Sequence, residues 1–577
     1  MKQHEIAALF TQMADLLEFR GANPFRIRAY RKAAQNLEGL TEDLGRLNAQ
    51  DRLEDIPGIG QDLARKIRDY LARGTIQEIE ELKRTVPPVV FELLEVPGVG
   101  PKTAKLLVDR LRITSLDRLE SAAKMHKLCT LPGFKETKEQ NILKGIAIVR
   151  KGRARMHLGV ALPLARSLLD ALRALPEVKR IEAAGSLRHM RETIGDLDLL
   201  VAAAKPAAVM RAFTTARFCS RVLAAGATKS SILTPDGVQV DLRVVEPASF
   251  GAALVYFTGS KEHNVHLREM AVRKGLKINE YGVFNKTGKR LAGREEEDVY
   301  RAVGLPWIPP EIREDSGEFE AARQGRLPKL VTHEDLRGDF HIHTTASDGA
   351  HSLEEVAEAG RKRGYEYLVI SDHSQSLKVA NGMSVRDLNA QMTKIRGLNR
   401  RFRGFQLLMG SEVDILERGR LDYPDEVLGR LEFVIGSIHS GFKQDEATLT
   451  ARLTAAMRNP YLSLIAHPTG RLMGQREPYA VDLERVFAEA KTTHTALEIN
   501  AYPKRLDLND QHARRAKDRG VRLAISTDTH DLDQLNDIAI GLGVARRAWL
   551  EPQHLLNCLS RDRLLAWVHE KRRTTAR

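Results

Sequence analysis

A chain of 577 residues exceeds what one hydrophobic core can organise, so roughly three to five domains are expected. With 42% apolar and 29% charged residues it suits a water-soluble globular protein, and no stretch approaches the roughly 20 unbroken apolar residues of a membrane span. The net charge of +14 favours a polyanionic partner, nucleic acid first, because backbone phosphates release counterions to clustered cations. Three scattered cysteines (Cys129, Cys219, Cys558) argue against a disulfide framework or thiolate zinc site and fit a reducing cytoplasm. Metal chemistry must therefore use histidine and carboxylate. The start, MKQHEIAALFTQMADLLEF, is helical in spacing but broken by Glu5 and Asp15 and carries no export signal.

The first feature along the chain is a repeat. DIPGIGQDLARKI (55–67) recurs as EVPGVGPKTAKLL (95–107), each copy pairing two glycines with a helix start. Gly58, Gly60, Gly98 and Gly100 let backbone approach backbone, and the free N–H groups of the following helix can face a phosphate. This resembles the helix-hairpin-helix motif of DNA-binding proteins. A third echo, TLPGFKETKEQNIL (130–143), lacks the second glycine and reads as structural only.

From Arg153 the pattern turns to α/β: a helix (LPLARSLLDALRAL), then VKRIEAAGS, GDLDLLVAA and VQVDLRVVE, strands with acidic residues inside them. Asp196 and Asp198, at i and i+2, share a face, and Asp241 stands in a strand that could pair alongside. Three converging carboxylates can hold two Mg²⁺ or Mn²⁺ ions for nucleotidyl transfer.

Together, GSLRHMRETIGDLDLL, VDLRV, YFTGSKEHNVHLR and KGLKINEYGVF resemble a family X DNA polymerase of the polymerase-beta type over about the first 315 residues. The resemblance implies Asp196, Asp198 and Asp241 as the metal-holding carboxylates, with Asp241 the base toward the primer 3′-hydroxyl. It implies Gly185, Ser186, Arg188 and Gly195 around the triphosphate, Tyr256, Phe257 and Gly259 under the sugar, Asn264 at the base edge, Arg268 toward the template, and Arg243 as a switch that pairs with the carboxylates. His189 and Met190 depart from the family's second arginine and glycine. Lys261 replaces an aspartate, either adding charge for the nucleotide or standing solvated. NPFRIRAYRKAAQNLE resembles the family's lyase domain, with Arg26 and Tyr30 at 5′-phosphate positions and Lys66 at the Schiff-base position; Arg65 and Arg68 are expected to depress its pKa, whereas Asp62 replaces a lysine.

PWIPPEIREDSGEFEAARQGRLPKL (306–330) reads as a linker. Beyond it, six apolar runs end in polar residues: GDFHIH (His341, His343) with Asp348, LVISDH (His373), LLMGSE (Glu412), FVIGSIH (His439), LIAH (His467) and LAISTDTH (Asp528, His530). Strands alternating with helices suggest a parallel barrel whose functional residues gather at the strand C-termini. Nine such ligands exceed what one ion accepts, so two or three ions are implied, with Zn²⁺, Mn²⁺ or Fe²⁺ suiting imidazole and carboxylate. The region resembles the polymerase-and-histidinol-phosphatase (PHP) domain, a distorted seven-stranded barrel; Asp372 could orient a ligand or be structural, and Glu498 has no assigned role.

The fold expected is a multidomain chain: a lyase-like helical domain (1–85), a second helix-hairpin-helix subdomain (86–152), a nucleotidyltransferase palm (153–247), a thumb (248–315), a linker (316–334) and a PHP barrel (335–577). The resemblance implies a cytoplasmic, nucleoid-associated monomer that fills gapped or nicked DNA from dNTPs and trims 3′ ends with Mn²⁺ or Zn²⁺ in the barrel, with a possible cut at abasic sites. The competing readings are a small-metabolite metallophosphatase and a DNA-end scaffold with vestigial centres.

Overall fold

The computed structural model describes residues 2–38, 44–56, 58–96 and 98–575; Pro57 and Pro97 of the repeated motif lie outside them. The chain forms two compact units, residues 1–154 with 348–351, and residues 155–347 with 352–577. No helix among the described residues is long and apolar enough to cross a membrane.

The first unit is helical. In the helix Lys2–Arg20, Ile6, Phe10, Met13 and Leu17 recur every three to four residues, so one face enters a core shared with Tyr30, Ile67, Leu93 and Leu107. In both copies of the repeat the first glycine is left-handed, at φ +78° for Gly58 and +87° for Gly98. The second glycine caps the next helix, Gln61–Arg73 or Pro101–Leu111, with no side chain bonded to the helix N-terminus. The N–H of Ile59 donates to Ile56 O at 3.0 Å and that of Val99 to Val96 O at 2.9 Å, so the two turns are built alike.

The second unit begins with a five-stranded sheet of β1 (Val178–Ala183), β2 (Leu197–Ala203), β3 (Arg221–Ala225), β4 (Lys229–Leu233) and β5 (Gln239–Val245), in the order β1-β2-β5-β4-β3. β2 and β5 are parallel, and Asp198 stands directly opposite Asp241. Helices Phe250–Thr258 and Lys261–Arg273 follow. The 316–334 stretch is packed rather than open: Phe319 in the helix Glu318–Arg323 is buried, and buried Glu318 accepts from the Asp315 and Ser316 amides at 2.7 Å each. A linker was expected from the Pro- and Glu-rich run 306–330 that leads into it, but Phe319, Ala322, Leu330 and Val331 are buried.

Seven parallel strands then run in sequence order: β6 (Gly338–Ile342), β7 (Tyr367–Ile370), β8 (Gln406–Asp414), β9 (Phe433–Ser437), β10 (Leu462–Ile465), β11 (Ala496–Asn500) and β12 (Leu523–Ser526). A bridge between Ile342 and Thr529 brings the first strand beside the last, so the barrel nearly closes. Nearly every position of these strands is buried, apolar or not, as expected of a parallel sheet covered on both faces. A single apolar core joins Ile181 and Leu199 of the first sheet to Ile370, Leu407 and Val434 of the barrel.

Candidate functional sites

The palm carboxylates lie at the start of β2 and in β5. A Cβ on Gly185 would fall 2.4 Å from Asp198 Oδ2, and Gly185 has φ +56°, so only glycine lets the turn pass the carboxylate. Burial, together with the like charges of Asp196 and Asp241, pushes Asp198 up to about 6. Burial acts on Asp241 in the same sense, but hydrogen bonds from Lys229, Gln239 and Ser231 outweigh it and hold this carboxyl low. Lys229 Nζ sits 2.9 Å from Asp241 Oδ2 and Gln239 Nε2 2.9 Å from Oδ1. Sequence reasoning missed Lys229; its position in β4, opposite β5, was the available signal. A site rich in carboxylate and poor in compensating cation fits Mg²⁺ or Mn²⁺ held by Asp196, Asp198 and Asp241.

The turn Gly185–Arg188 carries Ser186, and Gly195 lies beside Arg155. Arg188 is clamped by Glu296, with both N···O distances 2.8 Å, and donates to Thr258 Oγ1 at 3.0 Å, which ties this turn to the thumb. Arg243, expected to pair with the carboxylates, rests its guanidinium 4.2 Å from the centroid of the Phe257 ring. Tyr256 and Phe257 end the first thumb helix, Gly259 follows at φ +82°, Asn264 Nδ2 donates to Tyr256 O at 2.8 Å, and Arg268 Nε to Asn264 O at 3.1 Å. Tyr256, Asn264 and Arg268 are therefore linked by one run of hydrogen bonds.

The two departures at His189 and Met190 have a packing reason. Burial, with Arg547 and Arg191 nearby, pushes His189 down to about 3, so the ring is neutral; its Nε2 lies 3.0 Å from Thr258 O. Arg547 of the barrel donates to His189 O at 3.0 Å, and Met190 packs against Gly543, where a Cβ would fall 2.6 Å from Met190 Cε. Both positions therefore contact the barrel.

In the first unit, Arg26, Tyr30 and Lys66 converge on Glu78: Arg26 and Glu78 form an ion pair, Tyr30 Oη is 3.5 Å from it, and buried Lys66 Nζ is 3.0 Å away. Burial draws the Lys66 ammonium down, but hydrogen bonds to Asp62 and Glu78 outweigh it and the pKa is raised. This corrects the expected depression. Arg65 and Arg68 are taken by Asp62 and Asp51 at 2.7 and 2.6 Å, so neither repels Lys66 as a free cation.

The eight predicted ligands that belong to the second unit come together at the barrel rim. Ligand atoms of His341, His343 and Asp528 lie within 4.8 Å of one another, as do those of His373, Glu412 and His439, and those of His343, His373 and His530. Glu412 is the hub: His341 Nε2 is 3.2 Å from Oε2, His373 Nδ1 2.9 Å from Oε2, and His467 Nε2 3.0 Å from Oε1. His343 stacks between His373 and His530, with centroids 4.4 and 4.2 Å away. Burial opposes ionisation of Glu412, yet His341, His373 and His439 outweigh it and hold the carboxyl well below its usual range. Six imidazoles and two carboxylates clustered together, most of them buried, are costly without cations, so the donor set fits two or three ions of the Mn²⁺ or Zn²⁺ kind. Asp414, missed in the sequence, orients His439 through a 2.6 Å bond to Nδ1; the Glu412-x-Asp414 spacing on one strand was its signal. The Asp372 carboxylate pins Thr344, Ser347 and Gln391, while its backbone oxygen accepts from the N–H of Glu412 at 3.3 Å.

Residues 1–76 match a helix-hairpin-helix domain, 90–147 a SAM-like helix-hairpin-helix tandem, 253–314 the DNA polymerase beta thumb and 339–501 the PHP domain. The chain is 39% identical over 563 residues, 97% of its length and 98% of the relative's, to the DNA polymerase/3′-5′ exonuclease PolX of Bacillus subtilis. Over 41% of its length it is 27% identical to a probable phosphatase of Thermoanaerobacter sp., covering 95% of that protein, and over 33% it is 31% identical to a probable phosphatase of Acetivibrio thermocellus, covering 78%. Near end-to-end identity, joined to a beta-type thumb, paired helix-hairpin-helix units and a PHP barrel, places this chain in the family X DNA polymerases of the PolX type.

Proposed function

We propose that the palm fills short gaps in DNA from dNTPs while the barrel trims 3′ ends as a Mn²⁺-dependent 3′→5′ exonuclease, with cutting at abasic sites a further use of the same rim. One observation carries the reading: a single compact unit holds two separate ligand clusters of different chemistry, paired carboxylates on β2 and β5 and an imidazole-rich rim on the barrel. In the palm, Asp196, Asp198 and Asp241 would hold Mg²⁺ or Mn²⁺, which when bound sharpens the attacking hydroxyl and neutralises the departing pyrophosphate. Asp241 accepts the proton of the primer 3′-hydroxyl once Lys229 yields its oxygen. Ser186 and the turn amides face the triphosphate, and Tyr256, Phe257, Asn264 and Arg268 select the nucleotide against the template. Arg188 acts indirectly, by locking the turn to the thumb. In the barrel, Asp348 joins the eight assembled ligands. The helix starts behind Gly60 and Gly100 grip the phosphates of gapped or nicked DNA without reading bases. The chain works as a cytoplasmic, nucleoid-associated monomer. The 5′-deoxyribose-phosphate lyase step is not part of the proposal, because Asp62 and Glu78 keep Lys66 protonated.

A labelled one-nucleotide-gap duplex incubated with Mn²⁺, with and without dNTPs, tests this: elongation with dNTPs and shortening without them are expected. Turnover of histidinol phosphate without primer extension would install the metabolite-phosphatase reading, and DNA binding without product the scaffold reading.

A further inference from the structure

Six of the seven barrel strands deliver a ligand to the rim. The strand β11 delivers none, yet its Glu498 and Asn500 are fully buried at i and i+2 and therefore share a face. Glu498 Oε1 accepts from His341 Nδ1 at 2.8 Å and from Ser526 Oγ at 2.5 Å. Oε2 accepts from the backbone N–H of His467 and from Asn500 Nδ2 at 3.0 Å. Asn500 Nδ2 also reaches Asp528 Oδ2 at 3.1 Å, where Arg505 Nε stands at 3.3 Å.

A carboxylate offers about four lone-pair sites, and all four of these are taken by donors. Glu498 therefore cannot be a ligand itself. It instead dictates that His341 carries its proton on Nδ1 and turns Nε2 toward Glu412 and Asp528, 3.2 and 3.6 Å away. Asn500 and Arg505 occupy the outer oxygen of Asp528 and leave Oδ1 facing His343, 3.5 Å from its Nε2.

We infer that β11 is an orienting strand: Glu498 and Asn500 are positioning residues that fix the tautomer of His341 and the carboxylate rotamer of Asp528, and so set the affinity of the barrel rim for its ions. The inference rests on the reading of that rim as a metal centre. The Glu498 carboxylate holds His341 and the His467 backbone directly and reaches Asp528 through Asn500, so a single change should weaken the whole centre rather than one ligand.

Mn²⁺ binding by equilibrium dialysis, with free Mn²⁺ read by its paramagnetic resonance, tests it in the full chain carrying Asp198→Ala to silence the palm. Glu498→Gln places an amide NH₂ against at least one donor, and its Mn²⁺ affinity should fall by about 10- to 100-fold, as losses of outer hydrogen-bond partners do. Exonuclease activity should return at saturating Mn²⁺, which marks a metal-affinity effect rather than a lost catalytic group. Glu498→Asp should fall between, and Asn500→Ala should show the smaller loss while guarding against misfolding of the first variant. Primer extension by Glu498→Gln in the otherwise unaltered chain reports that the shared core is intact. Unchanged affinity and stoichiometry in both Glu498→Gln and Asn500→Ala overturns the inference. If His341→Ala binds Mn²⁺ as the parent does, the reading of the rim as a metal centre fails instead.

Discussion

The palm and the barrel rim solve the same electrostatic problem in opposite ways. In the palm, three carboxylates are gathered at one end of an open sheet, and the protein supplies one exposed-side cation, Lys229, to one of them. In the barrel, carboxylates are outnumbered by imidazoles and most of the groups are buried, with His439 and His530 partly exposed. Oxygen-only donors near solvent suit hard ions that arrive with a substrate, whereas buried nitrogen-rich donors suit ions that stay. Under the proposed function, the difference in donors would let one chain carry a site for ions that arrive with substrate beside a site for ions that stay.

The sharpest way to break this contrast is a pair of substitutions. Asp198→Ala should lower primer extension by about 10³-fold or more and leave 3′ trimming intact, while His341→Ala should do the reverse; a single gel assay of extension and trimming reads both. Loss of both activities by either change would merge the two centres into one. Next in size, brief dialysis against a chelator should stop extension at once, yet trimming should decay at least about tenfold more slowly, because the rim's ligands come preassembled. Timed assays after chelation check this.

A third test uses pH. Asp198 has a folded pKa of about 6, above its ordinary value, so its contribution to stability is present at low pH and is lost as pH rises through about 6. With divalent ions chelated, Asp198→Asn should therefore stabilise the chain by about 2 kcal/mol at pH 8 and by almost nothing below pH 4, as read by denaturant melts. Added Mg²⁺ or Mn²⁺ should shrink the gain. The smallest effect concerns Lys66. Glu78→Gln removes one of the two carboxylates that keep it protonated, so borohydride trapping on an abasic 5′-end should rise a few-fold at neutral pH.

Much of the site was legible because its chemistry is periodic. The i, i+2 spacing of Asp196 and Asp198 and of His341 and His343 fixes a shared face, and Pro-Gly-x-Gly repeats announce paired turns. The 316–334 stretch was misread, since composition reports polarity but not that Phe319 and Glu318 find partners in the thumb. Lys66 was misread for a related reason: Arg65 and Arg68 are close in sequence, but Asp62 and Glu78 are close in space.

The sequence by itself determined the kinds of donor, their spacing within each strand and the order of domains, because backbone geometry turns short-range spacing into shared faces. Tertiary structure alone decided which groups neutralise which: Lys229 against Asp241, Glu296 against Arg188, and Glu498 against His341. Those pairs are separated by 12, 108 and 157 positions in the chain. The pairing of β4 with β5, the packing of the Gly185–Arg188 turn on the thumb and the closure of the barrel bring them together, and no local pattern encodes such an encounter.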